Sequence, residues 1–322
     1  MKTNLTNKTM ILLIIASTMI MISSNNLLFS WISMEINTIS FILILTKSKK
    51  SSDQPMKYFI IQSLSSSMML ISLFLNSLIE TPFNFSIVMM VSMLMKLGMM
   101  PFHLWFPNMM KFSNWETCFM LMTIQKIAPC MIMCQMINMN LLLLPLSMSM
   151  LIAPVSAFNQ TSMKKILAYS SINNSSWMVM SLMNSKMLFT FFMTIYSMLT
   201  MMTTTMMSTL NISYTNQIKS IKLTHKLNFS INMISLSGFP PTLGFLPKWM
   251  LMKSMVMKSI MLLSFMIASS IMSSFIYMKI SSLTMTNLTM NKSYKKMKNY
   301  FIYQMMMNIL TLPTFMIMKN LS

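Results

Sequence analysis

The sequence predicts an all-α polytopic membrane protein with about eleven transmembrane helices, two of them broken. Three observations carry that reading. Of the 322 residues 55% are hydrophobic and 9% charged, with a mean hydropathy of +0.62, whereas a soluble domain carries about 25% charged residues. The charges are spaced to leave room for spans. Glu35 is the only one between Lys8 and Lys47, Glu80 the only one between Lys57 and Lys96, and none falls between Lys126 and Lys164. A helix crossing the hydrocarbon needs about 20 residues, so each interval holds a span or two. Finally, Pro129 and the Pro240-Pro241 pair stand inside apolar stretches, where proline removes a backbone donor and interrupts a helix. The whole chain, 1–322, reads as a single transmembrane domain.

The elements follow from charges, Pro, Gly and Asn/Ser clusters, because apolar periodicity carries no signal where all sides of a helix are apolar. Helix 1 is expected at about 5–22, ending at Ser23-Ser24-Asn25-Asn26. Its apolar core lacks the small-residue cleavage site of a signal peptide and is followed by further spans, so it reads as a retained helix. Helix 2, at about 26–46, carries Glu35, and the loop 47–57 leads to helix 3, at about 57–78. Helix 4, at about 84–104, carries Lys96 and is bent by Gly98 and Pro101. Helix 5, at about 115–138, carries Lys126 and breaks near Pro129. Helices 6, 7 and 8 are expected at about 140–158, 163–183 and 187–210, the seventh unusually polar at 170–176. Helix 9, at about 227–254, is broken by the segment 238–249; helices 10 and 11 follow at about 259–280 and 299–318.

The lysines test this division. Seventeen of the 24 fall on the N-terminal tail and the even-numbered connections, among them Lys111, Lys164, Lys165 and Lys226; four (Lys186, Lys253, Lys258, Lys319) fall on the other side, and three are internal. The positive-inside bias puts the N-terminus on the lysine-rich side and the C-terminus opposite. The formal charge of +20 comes entirely from lysine, with no arginine. It lies in short connections rather than in a basic domain, which argues against a nucleic-acid partner. Lysines concentrated on one side would attract anionic lipid headgroups, cardiolipin included. Cys118, Cys130 and Cys134 are an odd number in apolar runs, so they read as small buried residues rather than a disulfide or metal set.

Four ionisable groups remain inside spans: Glu35, Lys96, Lys126 and Lys248, with His103 at the end of helix 4 as a further candidate. A lysine at the middle of a membrane helix is unfavourable by about 2.5–3.5 kcal/mol, and four such groups by roughly 10 kcal/mol. One acid cannot neutralise three lysines, which favours a hydrated polar path over a simple packing ion pair. Non-helical backbone at membrane depth survives only where it is buried in protein or lines water. The expected breaks put Lys126 just before one interruption and Lys248 just after the other.

The motifs KLGMMPFHLWFPNMM (96–110), TIQKIAP (123–129), FNQTSMKKILAYSSI (158–172) and LSGFPPTLGFLPKW (236–249), with the earlier SWISMEINTISF (30–41), resemble in order and spacing the antiporter-like membrane-arm subunits of mitochondrial NADH:ubiquinone oxidoreductase, respiratory complex I, and among these the short animal form of chain 2. The likeness covers nearly the whole chain and is weakest over the last 70 residues. Fifty-two methionines without a single arginine fit an AT-rich mitochondrial gene. The resemblance implies an antiporter-like fold and a location in the mitochondrial inner membrane, with the N-terminus in the matrix and the C-terminus in the intermembrane space. It implies a proton relay in which Glu35 and Lys96 form a pair, Lys126 is the central lysine and Lys248 the distal one. It also implies that NADH, FMN, iron–sulfur clusters and ubiquinone act in other subunits, and that neighbouring antiporter-like, small core and accessory subunits are the partners. The chain itself has no Gly-rich phosphate loop and no Cys₄ set. Two positions depart from the family pattern. Asn174 stands where relatives usually carry histidine, which removes a titratable group, and Lys111 stands where they tend to carry an acid. A stand-alone cation/proton antiporter would need a carboxylate-rich site where only Glu35 is present, and a non-pumping scaffold would lose assembly, but not pumping per complex, when Lys96 or Lys248 is neutralised.

Overall fold

The computed structural model describes residues 2–46, 53–78, 82–136, 139–220, 223–256 and 258–285, and among them there are helices and no strand. The expected helix at 299–318 lies outside the described residues. Thirteen α-helices are described: α1 (Lys2–Ser23), α2 (Leu27–Leu45), α3 (Asp53–Leu78), α4 (Pro82–Leu97), α5 (Trp105–Phe112), α6 (Trp115–Met122), α7 (Ile124–Met136), α8 (Met139–Ala157), α9 (Met163–Asn184), α10 (Lys186–Leu210), α11 (Leu223–Ser237), α12 (Phe245–Met255) and α13 (Ile260–Met285). Among the described residues four stretches, Leu27–Leu45, Asp53–Leu75, Lys186–Leu210 and Ile260–Thr284, are long and apolar enough to cross a membrane.

Local chemistry explains most of the ends. Helix α3 starts four residues earlier than expected because Asp53 suits the positive end of a helix and Pro55 is tolerated in a first turn. Ser185 caps α10 by accepting a hydrogen bond from the Leu188 N–H at 3.2 Å. Inside the helices the many Ser and Thr hydroxyls donate to carbonyls three or four residues back, as Ser65 does to Gln62 (2.7 Å) and Thr203 to Thr200 (3.0 Å). Hydroxyls can therefore be buried without a partner on another helix.

The chain divides into two compact units: Met1–Ser149 with Asn174–Met183, and Met150–Asn173 with Asn184–Ser322. In the first, α1 packs on α2, α3 on α4, and α7 against α1, α2 and α4. In the second, α11 packs on α10 and α13, and α12 on the same two helices.

Two sequence expectations change. Pro129 lies inside α7 rather than at a break. The helical run is interrupted earlier, at Thr123, so Lys126 follows the interruption instead of preceding it. Proline withholds the hydrogen bond to the carbonyl four residues before it, here Gln125, which α7 accommodates within the helix. The segment 105–112, expected as a connection, is helix α5, separated from α4 by 98–104. Helix α4 stops at a left-handed Gly98 (φ +64°), with Met99 N–H donating to Leu94 O (3.1 Å) and Gly98 N–H to Met95 O (3.2 Å). That is the Schellman pattern. Helix α11 stops in the same way at Gly238 (φ +75°), with Phe239 N–H donating to Ile234 O and Gly238 N–H to Ser235 O. Gly98, Pro101 and Pro107 recur at identical spacing as Gly238, Pro241 and Pro247. Each unit thus holds one copy of a helix, glycine turn and second short helix.

Candidate functional site

In the first unit six helices, α2 to α7, converge on a small cavity of about 20 Å³, room for a single water molecule. Helix α4 brings Lys96, α7 brings Gln125 and Lys126, α2 brings Met34 and Asn37, and α5 brings Trp105 and Phe106. Both lysines are buried, Lys96 to 6% exposure and Lys126 to 2%, so each head must be satisfied inside the protein.

Lys96 sits in the last turn of α4, where the negative end of the helix dipole favours a cation. Its Nζ points at Met34 Sδ, 3.7 Å away, on the residue next to Glu35. The Glu35 carboxylate acts on Lys96 through space, with no ion-pair contact between the two among the described residues. Glu35 is half-buried, and its Oε1 is enclosed without a hydrogen-bond partner among the described residues. Lys126 Nζ lies 4.9 Å from the centroid of the Phe106 ring, a cation–π arrangement.

A chain of neutral groups ties the cavity walls together. Gln125 Nε2 donates to Asn37 Oδ1 at 3.0 Å, joining α7 to α2. Tyr58 OH donates to Gln125 Oε1 at 3.4 Å, joining α3 to α7. The Tyr58 ring stands edge-on to Phe41 and Trp105, and the Trp105 indole N–H donates to Met95 O at 3.1 Å. Trp105 thereby caps the carbonyl end of α4 from α5.

His103 lies in the 98–104 segment, half-buried, with Nδ1 3.3 Å from the Pro101 carbonyl oxygen, and does not line the cavity. Asn174 is buried in α9, and Lys111 is exposed at the end of α5, 5.1 Å from the Phe112 ring. Cys118 and Cys130 are buried and not in a disulfide.

Lys248 belongs to the second unit. It sits in the first turn of α12, 4% exposed, and its Nζ donates to Ser237 O, the terminal carbonyl of α11, at 2.7 Å. Gly238 leaves room for this contact: a Cβ there would fall 2.9 Å from Lys248 Cδ and 3.1 Å from its Nζ.

Of the expected site residues, Lys96 and Lys126 line the cavity, whereas Glu35, next in sequence to the lining residue Met34, and His103 do not. Sequence reasoning did not single out Tyr58, Trp105, Phe106, Gln125 or Asn37. The repeated Gly–Pro–Pro spacing was the available signal for Trp105 and Phe106, because it marks α5 as the counterpart of α12.

A family model described as NADH:quinone oxidoreductase/Mrp antiporter, transmembrane, matches residues 76–276. The chain belongs to this family. Within the antiporter-like family, NADH-ubiquinone oxidoreductase chain 2 of Locusta migratoria is 40% identical over 266 residues, covering 77% of each chain. That of Anopheles gambiae is 35% identical over 263 residues, 78% of this chain and 77% of the relative. The fold resembles a chain of respiratory complex I from Thermus thermophilus at a TM-score of 0.79 and 19% identity, covering 93% of this chain and 75% of the other. It also resembles a chain of an archaeal membrane-bound sulfane sulfur reductase at 0.76 and 17%, covering 95% and 72%. These antiporter-like neighbours share the fold with this chain.

Proposed function

We propose that the chain is a proton-translocating core subunit of the membrane arm of NADH:ubiquinone oxidoreductase. It lies in the mitochondrial inner membrane, with its N-terminus in the matrix and its C-terminus in the intermembrane space. Eleven spans follow if α4 with α5, α6 with α7, and α11 with α12 each count as one interrupted span and 299–318 as the last. Neighbouring antiporter-like, small core and accessory subunits are its partners, and inner-membrane lipids such as cardiolipin meet its lysine-rich side. Electrons pass through NADH, FMN, iron–sulfur and ubiquinone sites on other subunits.

The observation that carries this reading is the pair of buried lysines, Lys96 and Lys126, on one water-sized cavity whose lining contains no carboxylate. A metal cation entering it would meet two like charges, whereas a proton can be held by either amine. Redox events elsewhere alter the attraction between Glu35 and Lys96. When Lys96 shifts toward Glu35 the positive charge facing Lys126 falls, and when it returns the charge rises. At an effective dielectric of 20, two unit charges 4 Å apart interact by about 4 kcal/mol. Moving a charge against the membrane potential costs about 2.3 kcal/mol per 100 mV, which is of the same order. Lys126 then exchanges its proton through water and the amide and hydroxyl groups of the cavity, and Lys248 is the distal exchange site.

The test is Lys126→Met in the intact complex reconstituted into vesicles, read as protons moved per NADH oxidised. A reduced ratio is expected. A fully assembled variant with the parental ratio would remove Lys126 from the path.

A further inference from the structure

The wall of the cavity in the first unit contains an amide that the chain of hydrogen bonds described above does not use. Gln62, in α3, is 5% exposed and lines the cavity together with Lys96 and Lys126. Its side chain makes no hydrogen bond to another side chain or carbonyl among the described residues. Gln62 stands one turn beyond Tyr58 on the same face of α3. Tyr58 is itself fixed by its bond to Gln125 and by the rings of Phe41 and Trp105. The backbone that carries Gln62 is thereby set against the cavity.

The cavity has room for one water, and a water inside a protein makes about three hydrogen bonds. Ammonium heads only donate. A water facing Lys96 or Lys126 therefore turns its oxygen toward them and needs acceptors for its own O–H groups. The other polar side chains of the wall already have bonds: Asn37 Oδ1 accepts from Gln125 Nε2 (3.0 Å), Gln125 Oε1 accepts from the Tyr58 hydroxyl (3.4 Å), and the Thr38 hydroxyl donates to Glu35 O (2.9 Å). Among the described residues no donor reaches Gln62 Oε1, which leaves both of its lone pairs for the water.

We propose that Gln62 is a positioning residue for proton exchange at Lys126: its side-chain carbonyl accepts an O–H of a water bound in this cavity and so turns the water's oxygen toward the lysine heads. The proposal rests on the proton-translocating reading above and names the group that orients the water in it. Gln62 itself neither gains nor loses a proton. Leucine in its place fills similar space and offers no acceptor, whereas glutamate keeps an acceptor oxygen at the same length.

The experiment images the intact complex at water-resolving resolution with the parental chain, Gln62→Leu and Gln62→Glu, and measures protons moved per NADH oxidised in vesicles beside Lys126→Met. The parental complex and Gln62→Glu are expected to hold a water within about 3 Å of the side-chain oxygen at position 62. Gln62→Leu is expected to lack that water and to lose as much of the ratio as Lys126→Met. A dry cavity in the parental complex, or a water there out of reach of Gln62, overturns the proposal. A lowered ratio for Gln62→Leu with the water still in place would make its role structural and overturns it too. So does a parental ratio for Gln62→Leu beside a lowered one for Lys126→Met, which leaves the broader function standing. Parental ratios for both overturn the broader function as well. Should Gln62→Leu fail to assemble, a water missing from Gln62→Glu would refute the positioning.

Discussion

Replacing Gly238 by alanine isolates the contact that anchors Lys248. The residue is left-handed at φ +75°, where a side chain costs an L-residue about 1–2 kcal/mol. The new Cβ would lie 2.9 Å from Lys248 Cδ, 3.1 Å from its Nζ and 3.1 Å from the backbone oxygen of Gly244. The lysine head cannot yield without lengthening its 2.7 Å bond to Ser237 O. A hydrogen bond from a charged group contributes about 1.5–3 kcal/mol. Together these give a destabilisation of about 2.5–5 kcal/mol for the α11–α12 turn. Thermal inactivation of the purified complex reads the loss, and protons moved per NADH in vesicles read its effect on Lys248. Gly238→Asn separates the two contributions, since asparagine tolerates the left-handed region but carries the same Cβ. It should recover the backbone part of the stability and none of the pumping. An alanine variant with parental stability and parental ratio would refute the anchoring of Lys248 by this turn.

Two further outcomes concern the first unit. Gln125→Leu should destabilise it by about 1–3 kcal/mol, because a buried Asn37 oxygen loses its donor; denaturation in detergent checks this, and an unchanged midpoint would remove Gln125 as a bridge. Phe106→Leu takes the aromatic face from Lys126 and an edge contact from Trp105 (5.5 Å between centroids). A loss of about 2 kcal/mol is expected, with pumping reduced at unchanged NADH oxidation by artificial acceptors.

The legible part of this chain was its broad organisation. Intervals such as Lys126 to Lys164, empty of charge, are wide enough to mark helices by themselves, and Ser185 and Asn211 stand at the ends of α10 as their chemistry suggests. The buried lysines were legible for the same reason, since a charge among methionines and leucines stands out. Helix α5 was not. Its eight residues, WFPNMMKF, are too few for periodicity and contain proline, and burial of Phe106, Met109 and Met110 holds it in place. The interruption near Lys126 was read at proline itself, yet it falls at Thr123, two residues before the carbonyl that Pro129 leaves without a donor. Lys226, which is 5% exposed, was placed by counting charges, and a count cannot tell a solvated lysine from one folded inward. Tyr58, Asn37 and Gln125 come from three separate helices, and only tertiary packing brings them into one hydrogen-bonded chain.

The bond between Lys248 and Ser237 has a consequence for how such a site responds. A carboxylate partner can be silenced by a proton of its own, so an acid–lysine pair answers to pH as well as to position. A main-chain carbonyl takes up no proton in this range and always remains an acceptor. This bond to Lys248 therefore changes when the end of α11 and the start of α12 move apart or together. This anchor of Lys248 is set by geometry alone: the glycine turn that fixes the distance from the end of α11 to the start of α12 also fixes the length of the bond.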